Sequence, residues 1–170
     1  QVNINAKIIN TPKEVLDSDY IILPGVGNFE TGIKNLIHKG LDKALIEANA
    51  NKIKIIGICL GMQLLFEESD ESNLKGLGLI PGKVKKFNFQ DENLKIPHMG
   101  WNYVNIKKNS RFYFESEKKT KFYFAHSYYV ECKDRPYEVG ITNYGQNFCS
   151  IIENSNIFGV QFHPEKSHNF

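Results

Sequence analysis

At 170 residues, 41% hydrophobic and 24% charged, the chain has the balance of one globular domain with a substantial core rather than of a disordered or fibrous protein. Its net charge of +2 comes from basic residues, nearly all lysine, that are scattered rather than striped, which gives nucleic acid no footing. No apolar run reaches membrane-spanning length, and three cysteines without framework spacing read as reduced thiols, so a cytoplasmic setting with no membrane partner is expected.

In chain order, residues 12–19 form a short helix or turn. Tyr20-Ile21-Ile22-Leu23 is a continuous apolar run closed by Pro24-Gly25-Val26-Gly27, and is expected to be a strand buried on both faces. Pro-Gly-Val-Gly at a strand's carboxyl end is either a plain strand-to-helix turn or a set of backbone amides open to a ligand. Phe29, Ile33, Leu36 and Ile37 recur at helical spacing, and Gly40 is a helix-ending residue. Leu41, Ala44, Leu45 and Ala48 continue a second amphipathic helix, and His38, among polar neighbours, reads as solvated. Lys54-Ile55-Ile56-Gly57-Ile58 reads as a buried strand and Gln63-Leu64-Leu65-Phe66 as the start of a helix. Such alternation argues for a parallel sheet covered on both faces.

The second half changes character. Residues 83–89 alternate as a half-exposed strand, and residues 96–102, which hold Pro97, Gly100 and Trp101, read as irregular. Residues 103–106 resume an extended pattern, and the aromatic run over residues 122–130 reads as one strand. Short strands are expected over residues 139–142, 148–153 and 157–162, with Asn143-Tyr144-Gly145 and Asn154-Ser155-Asn156 as hairpin turns. One α/β domain follows, with a parallel first half and antiparallel strands towards the carboxyl end.

Two motifs carry chemistry. Gly57-Ile58-Cys59-Leu60-Gly61 joins a strand to a helix, the arrangement of a nucleophile elbow. Cys59 would stand exposed at its tip, its thiolate favoured by the helix's amino end, with the Leu60 N–H free for an oxyanion. Taken alone the motif is equally a structural cysteine in a βα turn. His163-Pro164-Glu165, just beyond the last strand, supplies the other half. Residues two apart on an extended segment face the same side, so the Glu165 carboxylate can fix the tautomer of an imidazole that serves a thiol. Cys132 and Cys149 lack glycine-flanked turns and read as small core residues.

Together, Gly-Ile-Cys-Leu-Gly-Met-Gln, the later His-Pro-Glu and the earlier Pro-Gly-Val-Gly resemble the class I, triad-type glutamine amidotransferases. Pro97-His98-Met99-Gly100-Trp101-Asn102 and Gln161-Phe162-His163-Pro164-Glu165-Lys166-Ser167 are similar to the glutaminase subunits of imidazole glycerol phosphate synthase, as is Met62. The resemblance runs from about Tyr20 to Ser167 and implies a flavodoxin-like three-layer α/β fold with a mixed central sheet. Members also carry an earlier strand and helix and a final helix, so the chain, a single domain over residues 1–170, is expected to be incomplete at both ends.

The resemblance implies Cys59 as nucleophile, His163 as base and acid, and Glu165 as orienting carboxylate. It implies Leu60, Val26 and Gly27 as oxyanion donors, and Gly25, Gln63, Ser127 and Tyr128 as substrate contacts. His98, Met99, Gly100 and Trp101 match a loop at the subunit interface, while His126 reads as a hydrogen-bonded core residue. The implied substrate is glutamine, and the implied partner is a cyclase subunit with a (βα)8 barrel that receives the ammonia in a heterodimer. No cofactor and no metal are called for. A paralogous glutaminase feeding a sugar amidotransferase in surface-polysaccharide synthesis, and a cysteine hydrolase of γ-glutamyl peptides, are the alternatives.

Overall fold

The computed structural model describes residues 6–89, 94–106 and 121–167; Gln1 and Phe170, the chain's two ends, lie outside them. The first half runs α1 (Pro12–Leu16), β1 (Tyr20–Gly25), α2 (Phe29–His38), α3 (Leu41–Ala50), β2 (Lys54–Cys59), α4 (Leu60–Leu64) and β3 (Phe66–Ser69). Then come β4 (Ile80–Lys86), β5 (His98–Tyr103), β6 (Asn105–Ile106), β7 (Lys121–His126), β8 (Tyr128–Cys132), β9 (Glu138–Tyr144), β10 (Gln146–Asn154) and β11 (Ile157–Val160).

β1 pairs with β2 in parallel, ending at Gly25↔Cys59. The crossover between them is helical. Asn28 accepts from the Thr31 N–H at 2.8 Å to cap α2, and Gly40, at φ 68°, turns the chain into α3. On the other side of β2 lies β11, also parallel, with Gly159↔Gly57 and Val160↔Ile58 in register. The main sheet continues β11-β10-β8-β4-β3, with β9 also paired to β10 and β6 to β9. It is therefore mixed: β11, β10, β8 and β4 are each antiparallel to the next, and β3 runs parallel to β4. β5 and β7 make a separate two-stranded antiparallel ribbon. One apolar cluster, including Phe29, Leu45, Ile55 and Met62, lies between the helices and the sheet. A second, aromatic cluster of Phe87, Phe124, Phe148 and Phe162 joins ribbon to sheet.

Four sequence expectations are corrected. β1 is not buried on both faces: Ile21 is buried while Tyr20 and Ile22 are exposed. Among the described residues β1 pairs with β2 alone, and Lys54 Nζ sits 4.6 Å from the Tyr20 ring centre. The helix after Cys59 stops at Leu64, and Phe66 already belongs to a strand. Its carbonyls are claimed by a returning segment, because Leu77 N–H donates to Leu64 O, and Leu79 and Ile80 donate to Leu65 O. Residues 98–102, expected as irregular, belong with Tyr103 to a strand held by pairing from His98↔His126 to Tyr103↔Lys121. The aromatic run is two strands rather than one, since the chain bends at Ser127 and passes from ribbon to main sheet. Both hairpin turns stand, with Gly145 at φ 68° and Ser155 at φ 53°.

The elbow glycines answer to contact distances. A Cβ on Gly61 would lie 1.7 Å from Leu23 O, and one on Gly57 would lie 2.7 Å from the Met62 backbone. Gly61→Ala is therefore expected to cost more than about 3 kcal/mol, the upper end of the overpacking range. Gly78→Ala, at φ 64° with no atom within 4 Å of the added carbon, is expected to cost only about 1–2 kcal/mol. Urea unfolding midpoints of the two variants check the difference, and equal losses would contradict the packing argument.

Candidate active site

Cys59 ends β2 with φ 53° and ψ −112°, a conformation that side-chain-bearing residues avoid. The surrounding structure imposes it: β2 is fixed by parallel partners on both sides, and α4 lies flush on the glycines of the turn. The nucleophile elbow is thus present, but not with the exposure expected. Cys59 is only 6% exposed, and burial pushes its thiol up to about 11. The Leu60 N–H and the Gln161 amide pull it back down, while the nearby Glu165 charge adds to the rise. A helix of five residues offers little dipole to counter the burial. The resting sulfur is a neutral thiol, not the thiolate the motif implied.

His163 sits just past β11. Its Nδ1 lies 2.8 Å from Glu165 Oε1, so the carboxylate accepts from Nδ1–H and leaves Nε2 as the basic nitrogen. The two side chains meet because residues Pro164–Lys166 form a 3-10 turn, not because the segment is extended as expected. Position is held from outside the pair. His163 N–H donates to Tyr123 O at 2.8 Å, Ser167 Oγ donates to His163 O at 2.6 Å, and Tyr123 N–H donates to that same hydroxyl at 3.1 Å.

Cys59 and His163 line one cavity of about 320 Å³, shared with Val26, Gly27, Leu60, Gln63, Ser127 and Tyr128. That volume fits a ligand of amino-acid size. Gly25 stands behind it: a Cβ there would meet Leu60 Cβ at 2.9 Å, so only glycine lets the Pro-Gly-Val-Gly turn close on the elbow. The sulfur and the His163 ring are not hydrogen-bonded to each other; the sulfur's side-chain partner is Gln161 Nε2 at 3.7 Å. Of the residues matched to the interface loop, Met99 and Trp101 are exposed on β5, while His98 is buried and stacks 4.0 Å from the Tyr144 ring.

Sequence reasoning missed Gln161, Glu71 and Lys166. Gln161 could have been found, as the one amide side chain in the apolar run Gly159-Val160-Gln161-Phe162. Glu71 and Lys166 line the cavity, and Glu71 also accepts from Phe29 N–H at 2.8 Å. Lys166 directly follows the His-Pro-Glu motif, which is the one signal that could have found it, while nothing in the sequence around Glu71 marks it. Among the described residues no cluster of His, Cys, Asp and Glu is placed to hold a metal ion, and no helix is long and apolar enough to cross a membrane.

The family model for class-I glutamine amidotransferases matches residues 1–169. The chain belongs to this family. Similar proteins include two called imidazole glycerol phosphate synthase subunit HisH. The one from Leptospira borgpetersenii is 44% identical over 171 residues, covering 99% of this chain and 84% of that protein. The one from Methanocaldococcus jannaschii is 46% identical over 161 residues, covering 94% and 79%. A crystal structure described as a glutamine amidotransferase superposes on the amidotransferase chain with a TM-score of 0.75 at 15% identity, covering 98% of this chain and 81% of that one. The glutaminase domain of Trypanosoma brucei CTPS gives 0.60 at 21% identity, covering 91% and 66%. These two superpositions bear on the fold alone, and they agree with the mixed α/β sheet described above.

Two buried histidines pair beside the amidotransferase cavity, His126 on its wall and His98 behind it. Burial pushes His98 down to about 4 and His126 down to about 3, against about 6.5 in an unfolded chain. Both are neutral when folded. Below the unfolded value the unfolded chain takes up protons that the folded one refuses, so their contribution is intact above about pH 6.5 and is lost as pH falls towards 4. Denaturant titrations are expected to show a loss on the order of 2–5 kcal/mol between pH 7 and 4.5. A flat profile over that range would contradict neutral burial of the pair.

Proposed function

We propose that the chain hydrolyses the side-chain amide of glutamine through a Cys59 thioester and passes the ammonia to a cyclase subunit making imidazole glycerol phosphate in histidine biosynthesis. The observation that carries the reading is one cavity holding a cysteine on a strained elbow and a histidine oriented by a carboxylate. Relatives at 44% and 46% identity called HisH support the pathway.

In this reading glutamine enters the cavity with its amino-acid end against Ser127 and Tyr128, and Gln63 contacts it. His163 Nε2 takes the thiol proton as Cys59 Sγ bonds to the amide carbon. The C–N bond then breaks, the imidazolium gives its proton to the leaving nitrogen, and ammonia departs from a glutamyl thioester. A water molecule, deprotonated by the same nitrogen, attacks the thioester and releases glutamate and the thiol. Glu165 keeps the ring in the required tautomer. A thiol held at about 11 makes this proton transfer depend on substrate and on correct closure.

The oxyanion formed at each attack takes the Leu60 N–H and an amide from the Val26–Gly27 segment. Val26 is 80% exposed and Gly27, at φ 100°, has no atom within 4 Å of where a Cβ would project. Those peptides have the space to rotate, so one donor can be absent at rest and present in the complex. The exposed Met99 and Trp101 of β5 supply an apolar surface for the partner, a (βα)8-barrel cyclase subunit in a heterodimer.

Cys59→Ala is expected to abolish glutamine-dependent synthesis by the assembled complex while leaving ammonia-dependent synthesis largely intact. Assays of the complex with each nitrogen source check it, and glutamine turnover at the unaltered rate would remove Cys59 from the mechanism. A second expectation concerns the oxyanion segment. Val26→Gly should raise the unstimulated glutaminase rate. Val26→Pro, lacking the N–H, should lose about 10²–10³ of the stimulated rate, the cost of one oxyanion donor. Glutamate release with and without the liganded partner measures both, and full stimulation of Val26→Pro would exclude that amide as the switch.

A further inference from the structure

Gln161 is 0% exposed, and its Nε2 lies 3.7 Å from Cys59 Sγ. Its Oε1 accepts from Gln63 Nε2 at 3.0 Å, and Gln63 Nε2 also donates to the Tyr128 backbone O at 3.0 Å. The same carbonyl meets His126 Nδ1 at 2.7 Å. Behind it, His126 Nε2 lies 3.0 Å from His98 Nδ1. His98 Nε2 is 3.3 Å from Asn102 Nδ2, which also donates to Asn143 O at 2.9 Å.

A backbone carbonyl can only accept. That fact orients every group in the chain of contacts. His126 must carry its hydrogen on Nδ1, so its Nε2 is the acceptor. His98 must then carry its hydrogen on Nδ1, and its Nε2 takes the Asn102 N–H. In the other direction Gln63 must turn its nitrogen to the carbonyl. Because that nitrogen also faces Gln161, Gln161 must present its oxygen there. Its N–H groups are left aimed at the sulfur.

We propose that Gln161 is a catalytic residue of the glutaminase step, its side-chain N–H stabilising negative charge on Cys59 Sγ, and that the Tyr128 carbonyl, held by the His98–His126 pair, keeps that donor turned to the sulfur. This rests on the glutaminase reading above. His98 and His126 are positioning residues, acting through the carbonyl and not on the substrate. The far end of the network, Asn102, lies on β5 beside the exposed Trp101, so the strand that offers the docking surface also anchors the donor. The charged or titratable groups lining the cavity with Cys59 are Glu71, His126, Tyr128, His163 and Lys166, and the Glu165 charge also acts on the thiol. They are the same in every variant compared here except at His126.

The test measures the rate of Cys59 alkylation by iodoacetamide from pH 7 to about 11, with peptide mapping to separate it from Cys132 and Cys149. Gln161→Met is expected to slow alkylation about tenfold at a given pH, moving the profile up by about one unit. It should also lower kcat for glutamine with KM unchanged. His126→Leu should reproduce the shift. His126→Asn, whose Nδ2 stands the same number of bonds from the backbone as the imidazole Nδ1, should restore the profile. Long-range nitrogen–proton spectra of the unaltered protein should show both histidines as Nδ1–H tautomers, and these decide the matter if a variant does not fold. An unchanged alkylation profile in Gln161→Met, or an Nε2–H tautomer at His126, would overturn the proposal. Failure of the unaltered protein with its partner to release glutamate would instead sink the glutaminase reading, since the alkylation comparison needs no turnover.

Discussion

Between Leu23 and Gly61 there is space for a hydrogen atom and nothing larger, and the geometry of the candidate site descends from that approach. It clamps β1 to the first turn of α4, and Gly57 and Gly159 let the same turn lie flush on β2 and β11, where a Cβ would strike Met62. With both flanks fixed, the residue between them takes φ 53°, and Cys59 is that residue. The strain is local and is carried by packing on all sides, which is how such conformations persist.

The second consequence is register. β11 runs beside β2 with Gly159 opposite Gly57, so the chain leaving β11 emerges at the same edge of the sheet as the elbow. His163 reaches the cavity from a position more than a hundred residues later because two glycines pair, and the 3-10 turn then folds Glu165 back onto it. A slip of one residue in this pairing would move the imidazole by about 3.3 Å and reverse its face. Its backbone is additionally tied to β7 through Tyr123 and Ser167.

Those pieces were legible in the sequence because each is local: glycines at fixed offsets, a proline-bound His-Glu pair, helical spacing with Gly40 as a stop. What was not legible depends on distant chain. The thiol was read as exposed and acidic because the elbow alone shows neither Gln161 nor the walls from β7, β8 and the 3-10 turn that bury it. The helix after Cys59 was read as longer because nothing near it announces that Leu77 and Leu79 will take its carbonyls. Residues 122–130 read as one strand because both halves are aromatic; the bend at Ser127 serves a ribbon whose other strand, β5, follows Pro97 and contains Gly100, which make its sequence look irregular. Of the buried polar network the sequence marks only His126, as a hydrogen-bonded core residue, because its partners come from α4, β5, β8, β9 and the segment after β11. Among the described residues no buried side-chain nitrogen or oxygen lacks a partner, so this network is complete and not a set of isolated burials.

The raised thiol has a further consequence, for the lifetime of the protein. Peroxide attacks the thiolate, and the oxidation ladder from sulfenic to sulfonic acid begins there. A sulfur held as a neutral thiol, with its ionisation near 11 and only 6% of the residue open to solvent, offers oxidants almost nothing to react with between turnovers. In the proposed mechanism, the burial that makes Cys59 wait for glutamine also shields its sulfur while it waits.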